Sequence, residues 1–181
     1  MITTRRCHPL RRTLLLVACV LLARPLGSHR DLLCQASPDI DHKVVVEIGG
    51  ALDRSVSDRL TTYGWTLAAE VTPVEGWLEL ESGVTWLGRG RQRHVAADFL
   101  FKKPFRLSQR AEFMAGIGAE WSRSSGIAPH ATSVAAEVVL DFMFWPTTRV
   151  GWYIEPSSSF SRGNGGERSL GATAGLLIGF P

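Results

Sequence analysis

The chain has 181 residues, 18 Gly, 6 Trp, 8 Phe and a formal net charge of +3, a length that suits one domain plus a targeting segment. Six basic residues (Arg5, Arg6, Arg11, Arg12, Arg24 and Arg30) stand against one acid, Asp31, in the first 36 positions, leaving 14 basic against 16 acidic residues beyond. The basicity therefore belongs to the N-terminal stretch, and nucleic acid is excluded as a partner.

That stretch reads as an export signal. MITTRRCHPLRR is a positive n-region, and Thr13–Ala23 is an apolar h-region ended by Arg24 and Pro25. It is shorter than the roughly 20 apolar residues that a membrane-spanning helix needs. Leu16-Val17-Ala18-Cys19 resembles a lipobox, although few apolar residues precede it. Residues 1–36 are assigned to the signal and the mature boundary, 37–42 to a short periplasmic lead-in, and 43–181 to the main domain. Cys7, Cys19 and Cys34 all lie before Gln35, so no disulfide framework holds the domain.

From Lys43 onward, alternating apolar runs are separated by turn residues, the pattern of strands. In chain order they are Lys43–Leu52, Thr62–Val71, Trp77–Leu87, His94–Phe101, Arg110–Trp121, Val134–Trp145, Thr148–Glu155 and Ser169–Phe180. The sixth contains AAEVVLDFMFW, whose Glu137 and Asp141 would share a face on a helix and on a strand alike. Parity across the other runs decides for strand. Val44, Val46 and Ile48, then Tyr63, Trp65 and Leu67, and their counterparts through Leu176, Ile178 and Phe180 occupy one face. Glu47, Glu70, Glu79, Glu81, Asp98, Glu112, Glu120, Glu137, Asp141 and Glu155 all occupy the other, among many glycines. Pro73, Pro104, Pro129, Pro146 and Pro156 fall between runs or at their ends, where no ladder hydrogen bond is lost.

A soluble barrel would turn its apolar face inward. An eight-stranded barrel has an interior wide enough only for ordinary side chains, and the rings of this chain would overfill it. The inverted arrangement, rings toward lipid and acids toward the lumen, is that of a transmembrane barrel. Its aromatics would form two belts, Tyr63, Trp65, Trp86 and Trp121 at the external rim and Phe101, Phe113, Phe144 and Phe180 at the periplasmic rim. Tight periplasmic turns are expected at 72–76, 102–109 and 146–147, and longer external loops at 53–61, 88–93, 122–133 and 156–168. The expectation is an all-β, eight-stranded, antiparallel up-and-down transmembrane barrel.

From Lys43 to Phe180 the chain resembles the small eight-stranded outer-membrane proteins of Gram-negative bacteria, of the OmpA/OmpX type. The ending Gly175-Leu176-Leu177-Ile178-Gly179-Phe180 carries the resemblance furthest, although Pro181 follows the final aromatic. Leu176, Ile178 and Phe180 look like the C-terminal signal read by the barrel-assembly machinery. The resemblance implies a bacterial outer-membrane location, a lipid and lipopolysaccharide environment, periplasmic chaperones during biogenesis, and a monomer.

The acids would share the lumen with Lys43, Arg110 and Arg149, and with Lys102 at the margin of its run. A hydrated salt-bridge plug is weighed above a narrow cation-preferring channel, because eight strands leave little bore. Arg110 or Arg149 would bridge acids across it. A lipid A-modifying enzyme would need a nucleophile, a base and an orienting acid. His42, His94 and His130 have no serine two positions along, so no catalytic residue, cofactor or metal is expected. The arginines Arg89, Arg91 and Arg93 are the candidates for lipopolysaccharide phosphates. The expected role is structural or surface interaction, with the channel, the enzyme and a soluble periplasmic ligand-binding barrel as alternatives.

Overall fold

The computed structural model describes residues 42–126, 131–161 and 167–181. The predicted signal and all but the last residue of the lead-in lie outside these residues, as do Pro129 and His130. The alternating runs fold into eight strands: β1 Val44–Ser55, β2 Thr61–Val74, β3 Leu78–Arg89, β4 Gln92–Arg106, β5 Ala111–Ser125, β6 Ala131–Phe144, β7 Val150–Ser161 and β8 Arg168–Phe180. Each pairs antiparallel with its neighbour in sequence, and β8 returns to β1, closing the barrel. Closure leaves no strand edge with unpaired backbone groups, which is what allows a sheet to sit in lipid.

Side-chain direction settles which face is inside. Trp65 is 52% exposed, Ile117 64% and Leu176 59%, whereas Glu47 is 2% exposed, Glu70 1% and Asp141 0%. The rings of the apolar face are outside and the acids inside, so the soluble alternative is excluded. An apolar band this continuous far exceeds the patches that a water-soluble monomer presents; hydrocarbon is the solvent that suits it. On that outer face Trp65 stacks on Trp86 at 4.0 Å between centroids, and they are direct cross-strand partners. Toward the end holding the termini, Phe113 lies 4.9 Å from Phe142 and Phe144 stacks on Trp152 at 4.2 Å.

Ile117 lies mid-strand, paired with Val138 on β6 and Phe101 on β4. Ile117→Arg is expected to cost about 2–4 kcal/mol of stability in lipid vesicles, the range for a cation at the bilayer midplane. Urea unfolding followed by tryptophan fluorescence checks it. A loss below about 1 kcal/mol would place this residue near the interface.

The strands run further than the apolar pattern does. β4 continues through Lys102 and Pro104 to Arg106, across the stretch expected to be a turn. At the loop end β3 and β4 join through Gly90 and Arg91 alone, with Gly90 at φ 60°, in place of the longer loop expected at 88–93. Alternation of polar residues on both faces, as in Ser122-Arg123-Ser124-Ser125, carries no apolar signal from which a strand can be read. Three prolines therefore lie within strands, each where the ladder is interrupted or outrun. Pro73 occupies the irregularity between Val71 and Val74. Pro104 lies beyond the last β3–β4 pair, and Pro156 falls in the break between the paired stretches of β6 and β7.

Candidate functional site

The lumen divides into an open chamber and a base packed with apolar side chains. The chamber has a volume of roughly 720 Å³ and opens at the loop end. Its wall is built from the inward positions of strands rich in serine and threonine, paired across the ladder. Ser122 and Ser133 hydroxyls lie 2.7 Å apart, those of Ser159 and Ser169 2.8 Å, and those of Thr66 and Thr85 2.9 Å. Asp98, Glu120 and Glu137 project into this hydroxyl lining from β4, β5 and β6. All three are half-buried.

Beneath the chamber a single ammonium gathers three carboxylates. Lys102 on β4 has no exposed side-chain surface. Its Nζ donates to Asp141 Oδ2 on β6 at 2.9 Å, lies 2.6 Å from Glu155 Oε2 on β7, and pairs with Glu81 on β3. The lysine has room because its cross-strand partner is Gly116; a Cβ there would lie 2.8 Å from Lys102 Cγ and 2.7 Å from Val139 Cγ2. Pairs of this kind repay the loss of hydration only when geometry is good and the remaining lone pairs are satisfied.

Not all of them are satisfied. Glu70 is directly opposite Glu81 on the inward face of β2 and β3, a like-charge pairing that destabilises a sheet. Both Glu70 carboxylate oxygens are buried without a hydrogen-bond partner, as are Glu47 Oε1 and Asp141 Oδ1. One oxygen from each of Glu47, Glu81 and Asp141 falls within 4.8 Å of the others.

Toward the termini the inward face becomes apolar. Val45, Met114, Met143, Trp145, Tyr153 and Leu177 form one buried cluster, with Met114 and Leu177 at 0% exposure. The inward face is therefore not acids and glycines throughout: acids and hydroxyls line the middle and the loop side, and large apolar groups fill the base. His42 covers that base. Its ring is 4.2 Å from Trp145, its Nε2 is 2.7 Å from the Thr148 carbonyl, and a Cβ on Gly179 would overlap it.

Glu47, Glu70, Glu79, Glu81, Asp141 and Glu155 are buried on the inward face, and Asp98, Glu112, Glu120 and Glu137 half-buried there. Arg110 and Arg149, expected to bridge acids across the lumen, sit instead in exposed turns between β4 and β5 and between β6 and β7. Lys43 is exposed before β1. The bridging cation is Lys102, whose parity with Asp98 was a signal one step past Phe101. Arg89 and Arg91 are exposed at the β3–β4 hairpin, while exposed Arg93 also lines the chamber mouth. Leu176, Ile178 and Phe180 face outward on β8.

One pairing has no signature along a single strand. His94 Nδ1 lies 3.0 Å from Ser124 Oγ, because the two are register partners on β4 and β5. Among the described residues no carboxylate hydrogen-bonds to that ring.

Several solved structures share this fold. Neisserial surface protein A aligns with a TM-score of 0.60 at 13% identity, covering 76% of this chain and 96% of its own. The outer membrane protein OprG of Pseudomonas aeruginosa aligns at 0.58 and 9% identity, covering 78% and 98%. Ail, the attachment invasion locus protein of Yersinia pestis, aligns at 0.53 and 13%, covering 76% and 99%. No family model matches the sequence, and no curated protein sequence matches it. At these identities the likeness extends to the fold: a closed, antiparallel barrel of the small outer-membrane type.

Proposed function

We propose that the protein resides in a bacterial outer membrane and acts by surface interaction, presenting an acidic, hydroxyl-lined cup above a closed base. One observation carries this reading: the bore is crossed twice, by the Lys102 ion-pair cluster and by the Trp145–His42 closure. A conducting path needs continuous water, and two packed layers across the bore, one ionic and one aromatic, support a closed reading. The structures that share the fold are described as surface or outer-membrane proteins, which supports the location. The predicted leader supports export to it. In this reading the exposed Arg89, Arg91 and Arg93 at and beside the hairpin tip would bind lipopolysaccharide phosphates, for which the guanidinium fork is a bidentate donor. Catalysis and cofactors have no part in this reading.

Planar-bilayer recording of the refolded barrel is expected to show no discrete openings. Under the same conditions the double variant His42→Ala, Trp145→Ala is expected to stay closed, because the Lys102 cluster still crosses the bore. Discrete cation-selective openings from the unaltered protein would sink the proposal in favour of the channel.

A further inference from the structure

The floor of the cup holds more carboxyl groups than its ammonium can serve. Glu47, Glu70, Glu81, Asp141 and Glu155 are all buried, and among the described residues Lys102 directly engages only Glu81, Asp141 and Glu155. Asp141 divides its two oxygens: Oδ2 accepts from Lys102, while Oδ1 is buried and unpartnered. Glu47 Oε1 is likewise unpartnered. We propose that Glu47, Glu81 and Asp141 form a site for a hard divalent cation, of the Ca²⁺ or Mg²⁺ class, seated beside the Lys102 ammonium.

Geometry supports the ligand set. Oxygens around a calcium ion lie about 2.4 Å from it, so any two of them are at most about 4.8 Å apart. The oxygens of Glu47, Glu81 and Asp141 meet that limit. An independent observation points the same way. Glu70 stands outside this trio and is 1% exposed, yet neither of its oxygens has a partner. It projects inward opposite Glu81, and its register neighbours on β1 bring it one step along the barrel from Glu47. A buried carboxylate without a donor is costly, and a divalent ion among Glu47, Glu81 and Asp141 would offset the charge that surrounds it. All-oxygen donors select hard cations over thiophilic ones.

Access and hydration also fit. Glu47 and Glu81 line the floor of the open chamber, so a cation entering at the loop end reaches them past Asp98, Glu120 and Glu137. Water in the chamber can complete a coordination shell that three carboxylates leave unfilled, as Mg²⁺ and Ca²⁺ sites commonly require.

The test uses the whole barrel, refolded without lipopolysaccharide in nonionic detergent and stripped with chelator. It is titrated calorimetrically with CaCl₂ and with MgCl₂, and by TbCl₃ luminescence sensitised through Tyr153, which lines the chamber floor. One saturable site per barrel is expected. Glu47→Gln should weaken it at least about tenfold by removing one charged ligand, leaving the Lys102 partners in place. Glu75→Gln, in the exposed β2–β3 turn, should leave it unchanged. Asp141→Asn provides a second removal, and native gel mobility confirms that each variant is folded. Absence of a saturable site in the unaltered protein overturns the proposal. Binding undiminished in folded Glu47→Gln overturns it equally. Neither result touches the surface-interaction reading, which stands or falls on the conductance record.

Discussion

Lys102→Met is expected to destabilise the barrel by about 3–5 kcal/mol, the range for removing one partner from a buried ion pair. The upper half of that range is the better expectation. The lost ammonium serves Glu81, Asp141 and Glu155 together, the last two at 2.9 Å and 2.6 Å, and all three would be left facing one another. The methionine fills most of the vacated volume, so the loss reports charge rather than a cavity. Guanidinium unfolding in detergent micelles gives the figure. A second variant separates charge from packing: Lys102→Met combined with Glu81→Gln, Asp141→Asn and Glu155→Gln should recover most of the loss, because no uncompensated charge remains. Unaltered stability in the single variant would mean that the cluster holds nothing together.

Gly64→Ala is expected to reduce the yield of folded barrel to a small fraction, while Gly83→Ala folds. Both glycines lie on the inward face, but their neighbours differ in kind. A Cβ on Gly64 would overlap the Trp86 carbonyl oxygen and lie 2.7 Å from its carbonyl carbon, atoms of a backbone fixed in the β2–β3 ladder. A Cβ on Gly83 would lie 2.8 Å from Asp98 Oδ1 and 3.2 Å from the Ala68 Cβ. The Asp98 carboxylate is the end of a side chain beside the open chamber and can rotate away. Overpacking that can relax costs about 1–3 kcal/mol; overlap with ladder backbone has no such outlet. Heat-modifiable gel mobility after refolding reads the folded fraction of each. Equal yields for the two variants would show that β2 and β3 are spaced more widely at Gly64 than this geometry has them.

The two experiments probe what was and was not legible along the chain. The eight strands and their inward and outward faces follow from parity, because successive side chains of any extended chain alternate. Trp65, Ile117 and Leu176 could be placed outside, and Glu47 and Asp141 inside, from that alternation together with the limited volume of a small barrel. Strand ends were less visible. Past the apolar band, side chains on both faces meet water, and residues such as Arg123 and Ser124 carry no contrast. Lys102 was left at the margin of its run for a related reason: Pro104 two positions on reads as a terminator, but β3 has already ended there, so no ladder hydrogen bond is lost. Arg110 and Arg149 misled because nearness to a strand end in sequence does not say whether a long side chain reaches into the lumen or out of the turn.

What the amino-acid order determined by itself is therefore the barrel and its polarity, since both rest on backbone geometry and on partition between hydrocarbon and water. Which acids meet was decided only by closure. Lys102 and Asp141 are 39 positions apart, on strands that are not adjacent, and strand alternation says nothing of distances across the bore. Those depend on the register of every intervening pair. The apolar base was likewise set by closure, which stacks Met114, Met143, Trp145 and Leu177 at one level. Each of them, read along its own stretch of chain, is only an apolar residue on the polar side.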